Sequence, residues 1–226
     1  MLPSSSASTL APPAPVPFTS TARAVPGHDR WHPDLPAVAE VITGGSVRLD
    51  CPARERGAEP LLCGPLDVVG AEPGDVIVVD VLALGRADGR PAPSGHPGVI
   101  GCAPDAAGLA AAGGCAPGPA MLGGLVPGTA RHAAVAARAV RGADRGRAVG
   151  GCTIARLTAG SRILLPVLVA GAKLSAGDLH FPTAGRDCGS GAAAGWIDLR
   201  VHLTRRGVER FRITGPMLMP DPTPAF

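Results

Sequence analysis

Asp178 and His180 stand two positions apart in the segment Gly177-Asp178-Leu179-His180. Side chains two apart on a strand project to the same face, so the carboxylate and the imidazole would lie side by side. Such a pair can hold a metal ion or a water molecule between its two members, or the carboxylate can raise the basicity of the imidazole for proton transfer. It can equally be a buried pair that only satisfies its own hydrogen bonds. We take Asp178 and His180 as candidate catalytic residues.

A second polar cluster lies near the start of the chain, at residues 27–34, where two histidines and two aspartates surround one of the two tryptophans. His28 is a third candidate catalytic residue, and Trp31 and His32 are candidate substrate-binding residues. The alternative is an entry loop whose polar side chains cap local backbone groups.

A third cluster is the glycine-containing stretch at residues 96–104. The glycines allow close backbone approach, and His96 could reach a pocket, although the stretch could also be a rigid turn that leads into a strand. Cys152 or Cys188 could serve as a thiol nucleophile, but no neighbouring pattern marks either thiol as activated. The chain has neither a GxSxG elbow nor a GxxxxGK[ST] phosphate loop, which argues against a serine hydrolase of that type and excludes a P-loop.

The composition excludes several classes of protein. The chain has 226 residues, of which 46% are hydrophobic and 17% charged, so it can fill a core. The net charge is +3, Lys173 is the sole lysine and aromatic residues make up 3%, which argues against a nucleic-acid partner. No uncharged apolar run reaches the roughly 18 residues of a membrane span, and the N-terminus lacks the pattern of a secretory signal. The six cysteines form no CxxC pair, so we expect reduced thiols and a cytoplasmic protein.

The 32 glycines and 25 prolines favour short strands joined by turns. Period-two or continuous apolar patterns predict strands at 38–42, 46–51, 65–69, 76–84, 153–157, 161–169, 173–180, 196–203 and 208–213. One helix is predicted over 130–141, with Thr129 as its N-cap. We predict a disordered tail over 1–24, a single domain over 25–220 and an extended tail over 221–226. The predicted fold is mainly β, a β-sandwich or barrel with a small α+β element.

Six stretches of the chain carry a combined signal: His28–Pro36, Gly64–Asp80, His96–Pro104, Gly150–Leu157, Gly160–His180 and Gly195–Leu203. Taken together and in this order, they resemble the acetamidase/formamidase family. The resemblance implies a β-rich sandwich or barrel with a small α/β element, and dimers or higher homo-oligomers. It also implies hydrolysis of the C–N bond of small amides, assisted by a bound divalent metal.

The chain departs from the family pattern in two acidic positions. Where the family carries GGN-x-D, this sequence reads Gly150-Gly151-Cys152-Thr153, so that Thr153 stands in place of the aspartate. The segment after His180 has no glutamate in place of the family's acidic pair, and the connection after Leu84 is short. A catalytic divalent ion needs about three protein ligands and an open position, so the loss of acidic groups predicts weak metal binding.

Three hypotheses follow. The first is an enzyme on this scaffold that has been repurposed for metal-independent general acid–base chemistry. It would carry out a cyclisation, elimination or isomerisation of a small or natural-product substrate. Asp178, His180 and His28 would be catalytic, and Trp31, His32, His96, Cys152 and Thr153 would contact the substrate. The second is a metal-dependent amidohydrolase; we favour no metal or cofactor, but zinc, if bound, would take Asp178, His180 and His28 as ligands. The third is a non-catalytic binding relative.

Overall fold

The structure is a computed structural model that describes residues 23–24, 26–92, 94–112, 119–142, 157–182 and 191–219. Its strands in chain order are β1 (Arg23–Ala24), β2 (Pro26–His28), β3 (Arg30–Trp31), β4 (Ala39–Val41), β5 (Ser46–Cys51), β6 (Leu62–Val68), β7 (Val76–Arg86), β8 (His96–Gly101), β9 (Val140–Arg141), β10 (Arg162–Pro166), β11 (Leu174–His180), β12 (Gly195–Thr204) and β13 (Met217–Met219). Its helices are α1 (Ala106–Ala111), α2 (Ala130–Ala136) and α3 (Gly207–Phe211).

The described strands form two main sheets and a two-stranded ribbon. One sheet has the order β1-β5-β12-β7-β10-β13, and the other has the order β2-β6-β11-β8 with β4 paired to β6. Apolar side chains from both sheets meet in one buried cluster that includes Leu49, Val79 and Leu199 from the first sheet and Leu66 and Leu174 from the second. The prediction of a mainly β, sandwich-like fold is confirmed.

The first sheet follows from its sequence pattern. In β12, Ile197, Leu199 and Val201 are fully buried and alternate with partly exposed or exposed residues, as the period-two pattern predicts. Strand β7 lies between β12 and β10, and its continuous apolar run is typical of a strand inside a sheet. The strands predicted at 38–42 and 46–51 are also present, but β4 pairs in parallel with β6 while β5 pairs with β12, so the two belong to different sheets.

Two local predictions are wrong. The predicted helix over 130–141 ends at Ala136, although Thr129 does cap it by accepting a hydrogen bond from the His132 amide. Residues Val140–Arg141 instead form β9, because they pair with β3. The predicted strand over 208–213 is replaced by α3, a single turn of helix between two left-handed residues, Arg206 and Arg212.

Several other predictions meet only part of the described chain. The first described strand, β1, falls at the end of the segment predicted to be a tail and pairs in parallel with β5. Most of the strand predicted at 153–157 and the whole extended tail over 221–226 lie outside the described residues. Among the described residues, Cys51, Cys63 and Cys102 are buried and are not joined in disulfides. None of the described helices is long and apolar enough to cross a membrane.

The second sheet positions the polar clusters. Strand β11 lies between β6 and β8, and its register with β8 sets His180 opposite His96. Strand β2, which ends at His28, pairs with the start of β6, so that β6 and β11 separate it from β8 in the same sheet. The ribbon of β3 and β9 continues from β2 and carries Trp31.

Candidate active site

The Asp178–His180 pair forms as the spacing predicts. The Nε2 atom of His180 lies 3.0 Å from Oδ2 of Asp178, and the two residues are only 3% and 5% exposed. Asp178 adopts a left-handed backbone conformation with φ of 59°, which is uncommon outside glycine but tolerated by aspartate. Leu179 between them packs into the main core. The structure therefore holds the carboxylate and the imidazole together at the end of β11.

Arg54 holds the other side of the Asp178 carboxylate. Its Nε atom donates to Oδ1, and its Nη2 atom donates to Oδ2 over 3.0 Å, which makes a bidentate pair. Its Nη1 atom donates to the carbonyl oxygen of Ala58 over 3.1 Å. The backbone of Arg54 is also fixed. Its amide donates to the carbonyl oxygen of Ala192 and its carbonyl oxygen accepts from the amide of Ala192, which lies three residues before β12. A guanidinium bound on so many edges has little freedom to move.

The charges in this cluster are set by burial and by these hydrogen bonds. Burial alone would raise the pKa of Asp178, but the hydrogen bonds from His180 and Arg54 and the charge of Arg54 outweigh it and hold that pKa below its ordinary value. Asp178 is therefore ionised at neutral pH, and its partner nitrogen on His180 is the protonated one. A carboxylate in this position orients an imidazole and stabilises its cationic form.

His96 stacks on His180. The two rings are nearly parallel, with an interplanar angle of 10° and centroids 5.5 Å apart. Burial lowers the pKa of His96, and the neighbouring His180 acts in the same direction. His96 is therefore neutral at pH 7. The structure places this predicted substrate-binding residue against the Asp178–His180 pair, which we call the dyad.

His28 forms a separate pair with Ser175. Its Nδ1 atom lies 2.5 Å from the carbonyl oxygen of Arg30, which can only accept, so Nδ1 carries the proton. Its Nε2 atom then accepts from the Ser175 hydroxyl over 2.8 Å. Both side chains are fully buried, and burial lowers the pKa of His28 to about 4. At neutral pH His28 is thus an uncharged acceptor.

The remaining predicted substrate-binding residues have different surroundings. Trp31 is 1% exposed, packs with Leu62 and Val99 and meets the His28 ring edge-on at 5.5 Å, so it belongs to a small core. His32 is buried, and its Nδ1 atom accepts from the backbone amide of Asp34 over 3.1 Å. Cys152 and Thr153 lie outside the described residues.

Comparison with known proteins identifies the group to which the chain belongs. The model of the Acetamidase/Formamidase family matches residues 17–92 and 90–226, which is nearly the whole sequence. The chain belongs to the acetamidase/formamidase family. The two matched parts meet at residues 90–92, in the connection after β7, which is short by comparison with the family pattern.

Two curated relatives and one solved structure show how this family member differs. The formamidase of Methylophilus methylotrophus is 30% identical over 285 aligned positions, which cover 88% of this chain and 69% of the relative. The acetamidase of Mycolicibacterium smegmatis is 30% identical over 88% of this chain and 71% of its own length. The gamma lactamase from Delftia acidovorans superposes with a TM-score of 0.75 at 28% identity, over 88% of this chain and 69% of that one. The aligned region spans 285 positions, whereas this chain has 226 residues in total. At least 59 residues of the formamidase within that region therefore have no counterpart in this chain.

The residues described for this family member do not fit a divalent metal ion. Such an ion needs about three protein ligands and an open position. Both oxygens of Asp178 are occupied by Arg54 and His180, and both ring nitrogens of His28 are occupied by Arg30 and Ser175. Over the described part of the chain, no three His, Cys, Asp or Glu side chains are grouped to hold a metal ion, so His28 does not join the dyad as a third ligand.

Sequence reasoning missed two residues of this site. Arg54 follows β5 in a loop with proline and glycine neighbours, and it lies 124 positions from Asp178, so no local pattern connects the two. Ser175 lies in the predicted β11 strand, but a lone serine in an apolar strand carries no signal of its own. Only the pairing of β2 and β11 with the same strand, β6, brings Ser175 to His28.

Proposed function

We propose that this chain is an amidohydrolase that cleaves the C–N bond of a small amide or lactam. The observation that carries the proposal is the buried Asp178–His180 hydrogen bond of 3.0 Å, in a chain whose relatives are named formamidase, acetamidase and gamma lactamase. Linear amides and lactams share the acyl C–N bond, so one arrangement of base and water can serve both.

The dyad supplies the proton transfers that this reaction needs. Asp178 accepts a hydrogen bond from the Nε2–H group of His180, which leaves the lone pair of the neutral ring on Nδ1. In the proposed reaction Nδ1 removes a proton from water, and the hydroxide adds to the amide carbon. The same proton then passes to the amide nitrogen as the C–N bond breaks, which yields a carboxylic acid and ammonia or an amine. Asp178 stabilises the imidazolium between the two transfers.

Burial of the dyad sets a condition on this reaction. His180 and Asp178 are almost inaccessible, while the side chain of Arg54 is 17% exposed and is the most accessible member of the cluster. A low-dielectric surrounding strengthens the hydrogen bond of the dyad. Because both side chains are buried, the groups that cover the dyad must also move to admit substrate.

The comparisons support hydrolysis better than the cyclisation, elimination or isomerisation that the missing acidic residues suggested. A base held by a carboxylate serves all of these reactions equally. The names of the relatives favour hydrolysis, because the two curated relatives at 30% identity are a formamidase and an acetamidase. The altered segments at 150–153 and after His180 then bear on the choice of substrate rather than on the class of reaction.

The proposal is tested by turnover of a panel of small amides. Purified full-length chain is supplied with formamide, acetamide, propionamide and 2-pyrrolidinone, and ammonia or the ring-opened amino acid is quantified. We expect hydrolysis of at least one compound, and a loss of about 10²–10⁴-fold in kcat for His180→Gln. His202→Gln, a change at a histidine beside Asp80 in the other sheet, is the matched control and should leave the rate unchanged. The proposal is wrong if folded wild-type protein hydrolyses none of the compounds, or if His180→Gln retains the full rate.

A further inference from the structure

We propose that Arg54 is the fixed cation of this site, and that its guanidinium takes the place at Asp178 that a divalent metal ion would otherwise occupy. The role proposed for Arg54 in catalysis depends on the amidohydrolase function proposed above. The claim about metal binding does not depend on turnover.

The first argument is geometric. Two nitrogens of the guanidinium meet the two oxygens of Asp178, and His180 takes a further site on Oδ2. A planar fork of this kind matches a carboxylate better than a lysine ammonium can. A metal ion at Asp178 would have to displace at least one of these hydrogen bonds.

The second argument is electrostatic. Asp178 is 5% exposed, and a buried carboxylate needs a positive partner. Arg54 supplies a full positive charge in direct contact. A divalent cation would therefore meet a carboxylate that is already neutralised, with a like charge beside it. Among the residues that the structure describes, no three metal-binding side chains are grouped around Asp178 to offset this repulsion.

The third argument concerns how Arg54 is anchored. The guanidinium is held from behind by the carbonyl oxygen of Ala58, and the backbone of Arg54 is bonded to Ala192. Asp178 in turn has a left-handed backbone conformation that ordinary strand pairing would not select. Contacts made only in the folded chain must hold it there, and the bidentate pair with Arg54 is one of them.

In the proposed reaction Arg54 is a positioning residue that acts through Asp178. It fixes the carboxylate so that Oδ2 faces His180, and it does not need to touch the substrate. Its loss should therefore lower kcat more than it raises KM. Arg54→Lys, which keeps the charge but loses the fork, should recover part of the lost kcat.

The test is zinc binding, measured by calorimetric titration and by metal analysis after dialysis. The proteins are wild type, Asp178→Asn, Arg54→Gln and the double variant, each confirmed as folded by circular dichroism. Arg48→Gln is the matched control. Arg48 makes the same kind of bidentate pair with Asp198, through two hydrogen bonds of 2.7 Å, at a different place in the fold. We expect wild type, Asp178→Asn and Arg48→Gln to bind zinc equally weakly. We expect Arg54→Gln to gain at least roughly tenfold in zinc affinity, and the double variant to lose that gain.

Two results would overturn the proposal. One is stoichiometric zinc in wild-type protein that Asp178→Asn abolishes, since the ion and Arg54 would then share the carboxylate. The other is an Arg54→Gln variant that folds and binds zinc no better than wild type. Should Arg54→Gln fail to fold, the comparison of wild type with Asp178→Asn still decides the first point. Absence of amide turnover with the expected zinc results would refute the amidohydrolase function and leave the assignment of the cation standing.

Discussion

Gly98 on β8 leaves the space that the Asp178 and His180 side chains occupy. A Cβ atom at this position would lie 2.6 Å from the Asp178 carbonyl oxygen, 2.6 Å from its Oδ2 and 2.7 Å from Cδ2 of His180. Ordinary contacts of a carbon atom begin near 3.5 Å, so Gly98→Ala requires a displacement of about 0.9 Å. One of the three contacts is to backbone, so a change of side-chain rotamer cannot relieve it. The dyad itself must move.

The expected effects of Gly98→Ala are a loss of activity and a smaller loss of stability. A misplacement of about 1 Å costs roughly 10²-fold in rate, and overpacking costs about 1–3 kcal/mol. For a chain of this size each kcal/mol lowers Tm by about 2–4 °C. The assays are kcat/KM on the amide that is turned over best and thermal unfolding followed by circular dichroism.

The control for this prediction is Gly215→Ala. A Cβ atom at Gly215 meets no atom within 4 Å, and Gly215 is not among the described glycines with positive φ, so neither Tm nor kcat/KM should change. An unchanged Tm for Gly98→Ala would refute the steric reasoning. A lowered Tm with wild-type kcat/KM would refute the assignment of Asp178 and His180 as the catalytic pair.

Three further predictions concern buried polar groups. Ser175→Ala removes the hydrogen bond to His28 in a fully buried place and should lower the free energy of unfolding by about 1–3 kcal/mol in urea, whereas Ser46→Ala at an exposed strand end should change it by less than about 0.5 kcal/mol. Burial lowers the pKa of His28 from 6.5 to about 4, so between these pH values the unfolded chain binds more protons than the folded one. The contribution of His28 to the free energy of unfolding is therefore complete above pH 6.5, and that free energy should fall by roughly 3 kcal/mol as the pH drops to 4. His28→Gln should reduce this dependence on pH. Asp75 accepts hydrogen bonds from the backbone amides of Glu72 and Arg206 and from the Arg205 guanidinium, so Asp75→Asn should lower the free energy of unfolding by about 1–3 kcal/mol. It should leave kcat/KM unchanged, because Asp75 precedes the first residue of β7. The opposite end of that strand, at Gly85, is the one that lies beside Gly195 and Leu179.

The sequence predicts those parts of the molecule whose signal is local. The alternation in β12, the continuous apolar run of β7 and the capping by Thr129 are read from neighbouring residues, and all three are present. The dyad is also local, because Asp178 and His180 are two positions apart on one strand. Even here the left-handed conformation of Asp178 could not be foreseen from the pattern.

The failures arise where distant contacts override local preference. Alanine and arginine favour continuing α2, but Val140–Arg141 leave the helix to pair with β3, more than a hundred residues earlier. Val208, Phe211 and Ile213 have high strand propensity, yet they form and follow the single turn of α3 between two left-handed arginines. Ser175 reaches His28 through sheet pairing, and Arg54 reaches Asp178 from a loop 124 positions earlier, so neither role can be predicted before the fold is known.

Asp178 binds both the proposed base, His180, and Arg54, and it is the carboxylate at which a metal ion would compete with Arg54. The most direct test is kcat/KM of Asp178→Asn on the amide that the wild-type chain hydrolyses best. Asp198→Asn is measured beside it, because Asp198 has the same bidentate arginine partner at a different place in the fold. A loss of about 10²-fold or more for Asp178→Asn, with a wild-type value for Asp198→Asn, is the predicted result. Equal, wild-type values for the two variants would contradict the account.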